Sequence, residues 1–208
     1  MRLGIDCLTI DSSYKGGINT YLFGLLDGFL SLQSDVNTYI IFCHTNNAHV
    51  FKKYAQNSKF EIVFIDQYGS FLKKLFLVFP YLLASTVLWR NAMNLYGKIK
   101  GINRIIENNC DVLYTATTVL NIYNLKIPTI LSMHDIQQYH YPQYFTKKEL
   151  TLRKLIFVNS AKAATLFQAS SMFIKNDLLK NFEWLKKEQI VVIPEGVDLD
   201  EFSKKRDG

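Results

Sequence analysis

The stretch MRLGIDCLTIDSSYKGGINTYLFGLLDGF, residues 1–29, decides the fold. Leu3–Ile5 is a short apolar run at the very start. After Gly16-Gly17, the positions Ile18, Tyr21, Leu22, Leu25, Leu26 and Phe29 recur at i, i+3, i+4, i+7, i+8 and i+11, which is one face of a helix. A buried strand leading through a loop into an amphipathic helix is the opening half of a β-α-β unit.

Working outward, the same alternation continues. Thr38–Cys43 (TYIIFC), Phe60–Ile65 (FEIVFI), Val112–Tyr114, Thr129–Met133 (TILSM), Leu166–Ala169 and Ile190–Ile193 (IVVI) read as strands. They are near-continuous apolar runs, which predicts strands covered on both faces, as in a parallel sheet. Between them, Asn94–Asn108 carries Leu95, Ile99, Ile102, Ile105 and Ile106 at helical spacing. Thr146 and Glu149 form a capping-box signature ahead of a helix through Leu155 and Ile156. Ser171 is an N-cap candidate for a helix through Leu178 and Leu179. The fold class expected is α/β, a Rossmann-like three-layer sandwich with a mainly parallel sheet.

Composition agrees. The chain has 208 residues, 49% apolar and 20% charged, which suits one large globular domain and argues against disorder. Cys7, Cys43 and Cys110 are odd in number and widely spaced, against a disulfide framework or a structural zinc site and in keeping with a reducing cytosol. A net charge of +6 is mild, so a dedicated nucleic-acid protein is not expected, while an anionic small partner or lipid surface is. The N-terminus has no long apolar core and carries Asp6 and Asp11, unlike a signal peptide. The most apolar stretch, Leu75–Trp89, is interrupted by Pro80, Ser85 and Thr86 and is shorter than the roughly 20 residues a membrane span needs.

Four places carry candidate chemistry. The first is Gly16-Gly17, at a helix N-terminus after the first strand. There the backbone can approach a ligand and the helix dipole favours an anion; the plainer reading is that the glycines only shape the turn. No GxGxxG or GxxxxGK[ST] occurs, against an NTPase or a nicotinamide enzyme of the usual fingerprint. The second is His134-Asp135, directly after a strand. His134 can hydrogen-bond a substrate hydroxyl or phosphate, or be a satisfied structural histidine, and Asp135 either orients it or caps the next turn. His134 and His140 lack a third ligand at a recognised spacing, so no metal is expected. The third is Pro194-Glu195-Gly196-Val197-Asp198, by itself a turn signal. The fourth is Phe71–Trp89, where Lys73, Lys74 and Arg90 flank a dense apolar run. It reads either as an interfacial helix with Trp89 in the acyl boundary or as a buried helix pair, with Pro80 breaking or kinking a single helix.

These four places occur together, in order, in one family. The sequence resembles the N-terminal, acceptor-side half of a glycosyltransferase family 4 enzyme of GT-B fold. The opening strand, diglycine and helix are similar to that family's first β-α unit. TILSMHDIQQYHYPQYF resembles its His-Asp, spacer, Pro-x-x-Phe segment through His134, Asp135, Ile136, Pro142 and Phe145. SSMFIKNDLLKNF resembles its Ser-x-x-Ser-Lys-x-Asp-Leu helix start through Ser171, Lys175 and Asp177. IVVIPEGVDLDEF is similar to its Val-Ile-Pro-Asn-Gly-Val-Asp signature. Gln143, Ile174 and Glu195 depart from the usual Glu, Ser and Asn.

The resemblance implies an acceptor-side domain over residues 1–193 and, over 194–208, a crossover toward a C-terminal donor-binding domain. The second lobe of such enzymes carries a Glu-x7-Glu motif and the basic residues that hold the nucleotide-sugar diphosphate, and no segment here matches them. The chain is therefore expected to be a fragment, or a natural half needing a partner chain, and silent alone. The resemblance further implies retaining transfer of a sugar from a nucleotide-diphosphate donor to a saccharide or lipid-linked acceptor in cell-surface glycan synthesis. It implies no metal and no cofactor, at a cytoplasmic location or peripherally on the inner face of the plasma membrane. In that picture Gly16 and Gly17 approach the donor phosphate or sugar, His134 is catalytic, and Asp135, Ser171 and Lys175 lie on the acceptor side. Lys73, Lys74, Trp89 and Arg90 meet the membrane. The competing expectations are a non-catalytic accessory half-transferase and a free-standing nucleotide binder.

Overall fold

The structure, a computed structural model, describes residues 1–10, 16–32, 36–66 and 71–196, with only the backbone at 71 and 72. Asp11, the loop before Gly16, and residues 197–208 of the expected crossover lie outside the described residues.

Seven strands form one sheet: β1 (Arg2–Asp6), β2 (Thr38–Cys43), β3 (Phe60–Phe64), β4 (Val112–Thr115), β5 (Thr129–Met133), β6 (Leu166–Ala169) and β7 (Ile190–Val192). Every pairing is parallel, in the order β3-β2-β1-β4-β5-β6-β7. The helices are α1 (Gly17–Ser31), α2 (Lys52–Ala55), α3 (Phe71–Leu82), α4 (Thr86–Ile99), α5 (Ile102–Asn109), α6 (Gln137–His140), α7 (Lys147–Ala163) and α8 (Met172–Asn181). The fold is the expected Rossmann-like α/β sandwich. The strand order reverses between β1 and β4, which opens a crevice beyond their carboxyl ends.

The continuous apolar runs have a direct cause. In β2, Tyr39, Ile41 and Cys43 pack with Ile5, Leu22, Leu26, Phe51 and Tyr54 on the α1 side. The alternate residues Ile40 and Phe42 pack with Tyr96, Ile102, Ile106 and Leu113 on the α4–α5 side. Both faces are buried, so side chains that alternate every residue must all be apolar. Gly4 marks a close approach within the sheet: a Cβ there would lie 2.6 Å from Cys110 Sγ and 2.7 Å from Phe42 Cε2. A third cluster, built on Leu131, Met133, Leu155, Phe167, Leu178 and Phe182, fills the β5–β7 half. The three cysteines are free and buried.

Two caps match their sequence signatures. Thr146 Oγ1 accepts from Glu149 N–H at 3.3 Å while Glu149 accepts from Thr146 N–H at 2.7 Å, and Ser171 Oγ accepts from Ile174 N–H at 3.3 Å. The single helix expected over Asn94–Asn108 is instead the end of α4 and all of α5. The break is at Gly101, whose φ of 68° is left-handed backbone that few residues other than glycine adopt. The stretch Phe71–Trp89 is a helix pair, divided after Leu82. Pro80 sits inside α3, and α4 starts afresh with Ser85 as its N-cap. Among the described residues no helix is long and apolar enough to cross a membrane.

Candidate functional site

Parallel strands bring the residues that follow their carboxyl ends to one edge, and helix N-termini arrive at the same edge. His134 follows β5, Ala116 follows β4, and Glu195 comes soon after β7. His134 Nδ1 lies 2.8 Å from Glu195 Oε1, and Nε2 lies 2.8 Å from the Ala116 carbonyl oxygen. Both partners are acceptors, so both contacts are hydrogen bonds only when each ring nitrogen carries a proton, the imidazolium form. The ring also meets Tyr21 edge-on, with centroids 5.0 Å apart at 78°. Tyr21 is one turn into α1 from Gly17, so the diglycine and His134 border the same crevice.

A buried polar network supports this floor. Tyr21, Tyr114, Ser132 and Gln168 bring their polar atoms together from α1, β4, β5 and β6. Tyr21 Oη is 2.7 Å from Tyr114 Oη and 2.8 Å from Gln168 Oε1. Tyr114 Oη is 2.6 Å from Ser132 Oγ and 2.7 Å from Gln168 Oε1. Burial pushes the Tyr114 phenol far above its ordinary range, so it stays a neutral donor.

At the reversal point itself, Asp6 ends β1 and is only 3% exposed. It accepts from Leu8 N–H at 3.1 Å and from Asn121 Nδ2 at 3.0 Å, which ties the loop after β1 to the loop after β4. Burial raises the Asp6 carboxyl above its usual range, opposed by those hydrogen bonds and by the charges of Lys73 and His44. Burial also lowers Lys73 to about 8, opposed by the charge of Asp6. Asn47 Nδ2 donates to the carbonyls of Cys7 and Ile10, holding the same loop.

The diglycine has a different physical role from conformational necessity. Gly16 is extended, with φ of −121°, which any residue adopts, and Gly17 is helical. Among the described residues, a Cβ on Gly17 would meet nothing within 4 Å. Among the described residues no side chain caps α1, and no acid lies in its first turn.

The other expected site residues are placed as follows. Asp135 is turned from His134 to the next turn, accepting from Gln137 N–H at 3.3 Å and Gln137 Nε2 at 3.1 Å. Ser171 caps α8. Lys175 commits its ammonium to the Ile190 carbonyl, at the amino-terminal end of β7 and away from the crevice edge, because α8 runs back along the sheet. Trp89 is 6% exposed and packs with the β5–β7 core, so its ring is not available to an acyl boundary. Lys73 turns toward Asp6, whereas Lys74 is exposed and Arg90 half-buried. Among the described residues no three His, Cys, Asp or Glu side chains converge as a metal cluster would. Sequence reasoning missed Glu195 as the partner of His134, and it missed Tyr21, Asp6 and Gln168. The one signal available was polarity inside apolar runs, as in Leu166–Ala169 (LFQA).

The family profile described as Glycosyltransferase Family 4 matches residues 15–201. The chain belongs to Glycosyltransferase Family 4. The matched range takes in the diglycine, His134 and Glu195. Among solved structures, the chain is similar to the N-terminal domain of Candida albicans trehalose-6-phosphate phosphatase. Identity there is 11% and the TM-score 0.46, over 96% of this chain and 49% of that one. It is also similar to Neisseria meningitidis UDP-GlcNAc 2-epimerase bound to UDP-GlcNAc, at 13% identity and a TM-score of 0.49, over 92% of this chain and 46% of that one. The family 4 chain thus spans about half the length of each. No curated protein matches it.

Proposed function

We propose that this chain is the acceptor-side lobe of a retaining glycosyltransferase that moves a sugar from a nucleotide-diphosphate donor to a saccharide or lipid-linked acceptor. A donor-binding lobe, in cis or on a partner chain, closes over the crevice. The observation that carries the reading is the clamp on His134, between Glu195 and the Ala116 carbonyl, beside Tyr21 in the second turn of α1. Family membership supplies the reaction class.

The physical roles follow from charge. In sugar transfer the diphosphate leaves with negative charge, and the reacting carbon becomes electron-poor. Preorganised positive dipoles and donors lower that barrier because they need no reorganisation during the reaction. The N-terminus of α1, which nothing among the described residues caps, offers such donors, and among those residues a Cβ on Gly17 would meet nothing within 4 Å. His134 contributes a positively charged or hydrogen-bonding edge whose direction Glu195 fixes. Glu195, where family members commonly have Asn, acts as a positioning residue. The reading places the protein on the cytoplasmic side, held peripherally at the inner membrane face through the apolar α3–α4 pair, in cell-surface glycan synthesis.

The test uses the two-lobed protein with a panel of nucleotide sugars. His134→Ala is expected to cut transfer by about 10²-fold or more. Glu195→Ala is expected to act through His134, with Glu195→Gln recovering part of the loss and a shifted pH profile marking the positioning role. The chain alone is expected to give no turnover. Near-normal transfer by His134→Ala, or robust transfer by the chain alone, refutes the reading.

A further inference from the structure

His134 is held from three sides, and two of them are hydrogen bonds. Glu195 and the Ala116 carbonyl take the two ring nitrogens, at 2.8 Å each. A hydrogen bond tolerates a bend of roughly 30° before it weakens. The two contacts therefore set where the nitrogens point and resist tilting of the ring only weakly. The Glu195 jaw is soft as well, because that side chain is 43% exposed. The third side is the Tyr21 ring, edge-on to the imidazole with centroids 5.0 Å apart. Aromatic rings favour this perpendicular arrangement, and a ring in van der Waals contact does resist tilt.

Tyr21 is itself fixed at both ends. Its backbone lies in the second turn of α1, on the same face as Gly17, four residues earlier. Its hydroxyl reaches the sheet, 2.7 Å from Tyr114 Oη on β4 and 2.8 Å from Gln168 Oε1 on β6. Those two strands flank β5, and His134 is the residue that follows β5. A phenol tied to both neighbours of one strand cannot swing away from the residue at that strand's end. We propose that Tyr21 is the positioning residue for His134: its ring, pinned across β4 and β6, sets the tilt of the imidazole and keeps His134 in register with the Gly17 end of α1. The role in transfer rests on the sugar-transfer reading, whereas the orientation of His134 is read without it.

The first measurement uses the chain alone and no substrate. At about pH 5.5, below the ordinary histidine range, the two His134 ring N–H protons are expected as separate downfield NMR resonances, sheltered from water by the clamp and assigned by their absence in His134→Gln. Tyr21→Phe keeps the ring and is expected to keep both resonances. Tyr21→Leu removes the ring and is expected to broaden both through exchange with water, under conditions where circular dichroism shows it folded. Tyr21→Met, which also lacks the ring, serves in the same way should Tyr21→Leu fail to fold. Tyr114→Phe takes a hydroxyl from the same network and is expected to keep both resonances.

The second measurement is transfer by the two-lobed protein. Tyr21→Leu is expected to lower kcat by about tenfold to 10²-fold with the donor KM within about twofold, as when a group that acts in the transition state is misplaced. Tyr21→Phe is expected to keep at least about half of the parent kcat. Both resonances surviving in Tyr21→Leu, their equal loss in Tyr21→Phe or Tyr114→Phe, or a normal kcat in Tyr21→Leu overturns the proposal. A normal kcat in Tyr21→Leu beside an impaired His134→Ala removes the positioning role and leaves the sugar-transfer reading standing. Normal transfer by His134→Ala, with both resonances lost in Tyr21→Leu, refutes the sugar-transfer reading while Tyr21 still orients His134.

Discussion

Removing the shared acceptor of the network beneath His134 is expected to cost about twice as much as removing one of its hydroxyls. Tyr21, Tyr114 and Ser132 carry three hydroxyl protons, yet they make five close contacts among themselves and with Gln168 Oε1. Three protons can fill only three of those contacts at once. Tyr114→Phe takes away one proton. Tyr21 and Ser132 then each donate to Gln168 Oε1, at 2.8 Å and 2.8 Å, and both of its lone pairs stay filled. The net loss is one hydrogen bond, about 1 kcal/mol. Gln168→Leu is different. The three hydroxyls can then only chain from one to the next, and the last proton finds no acceptor. Ser132 is 1% exposed, so water does not replace the partner at that end, and the chain must end on half-buried Tyr21 instead. Gln168 Nε2 also ceases to donate to the Ile193 carbonyl. Two net hydrogen bonds sum to about 2 kcal/mol. For a domain this size, about 2–4 °C of melting temperature corresponds to each kcal/mol. Tyr114→Phe should therefore melt about 2–4 °C lower and Gln168→Leu about 4–8 °C lower, by circular dichroism, with urea midpoints falling in the same order. Equal losses, or a larger loss for Tyr114→Phe, would refute the shared-acceptor account.

Two further outcomes bear on particular residues. Thr146→Ala removes the side-chain half of the α7 capping box and is expected to destabilise the fold by about 1 kcal/mol in urea unfolding, with Thr146→Ser close to unchanged. Asp6→Asn addresses pH. A carboxyl whose folded pKa lies above its unfolded value holds its proton more tightly in the native state, so its contribution to stability declines as pH rises through that interval. The stability of the parent chain relative to Asp6→Asn should therefore fall as pH climbs from about 4, and a difference that grows in the parent's favour would contradict the burial argument.

Much of this architecture was legible in the linear order of residues. Strands covered on both faces demand mainly apolar residues, as Thr38–Cys43 shows, and the polar exceptions in Thr129–Met133 and Leu166–Ala169, Ser132 and Gln168, meet in the buried network. The caps at Thr146 and Ser171 were equally readable, because a cap is made within four residues. A parallel sheet then fixes which loops share an edge, so the neighbourhood of Gly17 and His134 followed from connectivity alone.

Three matters were decided only by the tertiary structure. Whether Gly101 interrupts a helical pattern depends on where the chain must turn back to the sheet, and the periodicity of Asn94–Asn108 is the same in either case. Whether Trp89 faces lipid or core depends on which side of α4 meets α7, since an apolar ring suits both surroundings. His134 and Glu195 are 61 positions apart, and their pairing exists because β5 and β7 end at one edge with β6 between them. Local chemistry selects helices, strands and caps through contacts between near neighbours. Partners brought together by the order of strands in a sheet leave no mark in the sequence near either one, and that is where the clamp on His134 was hidden.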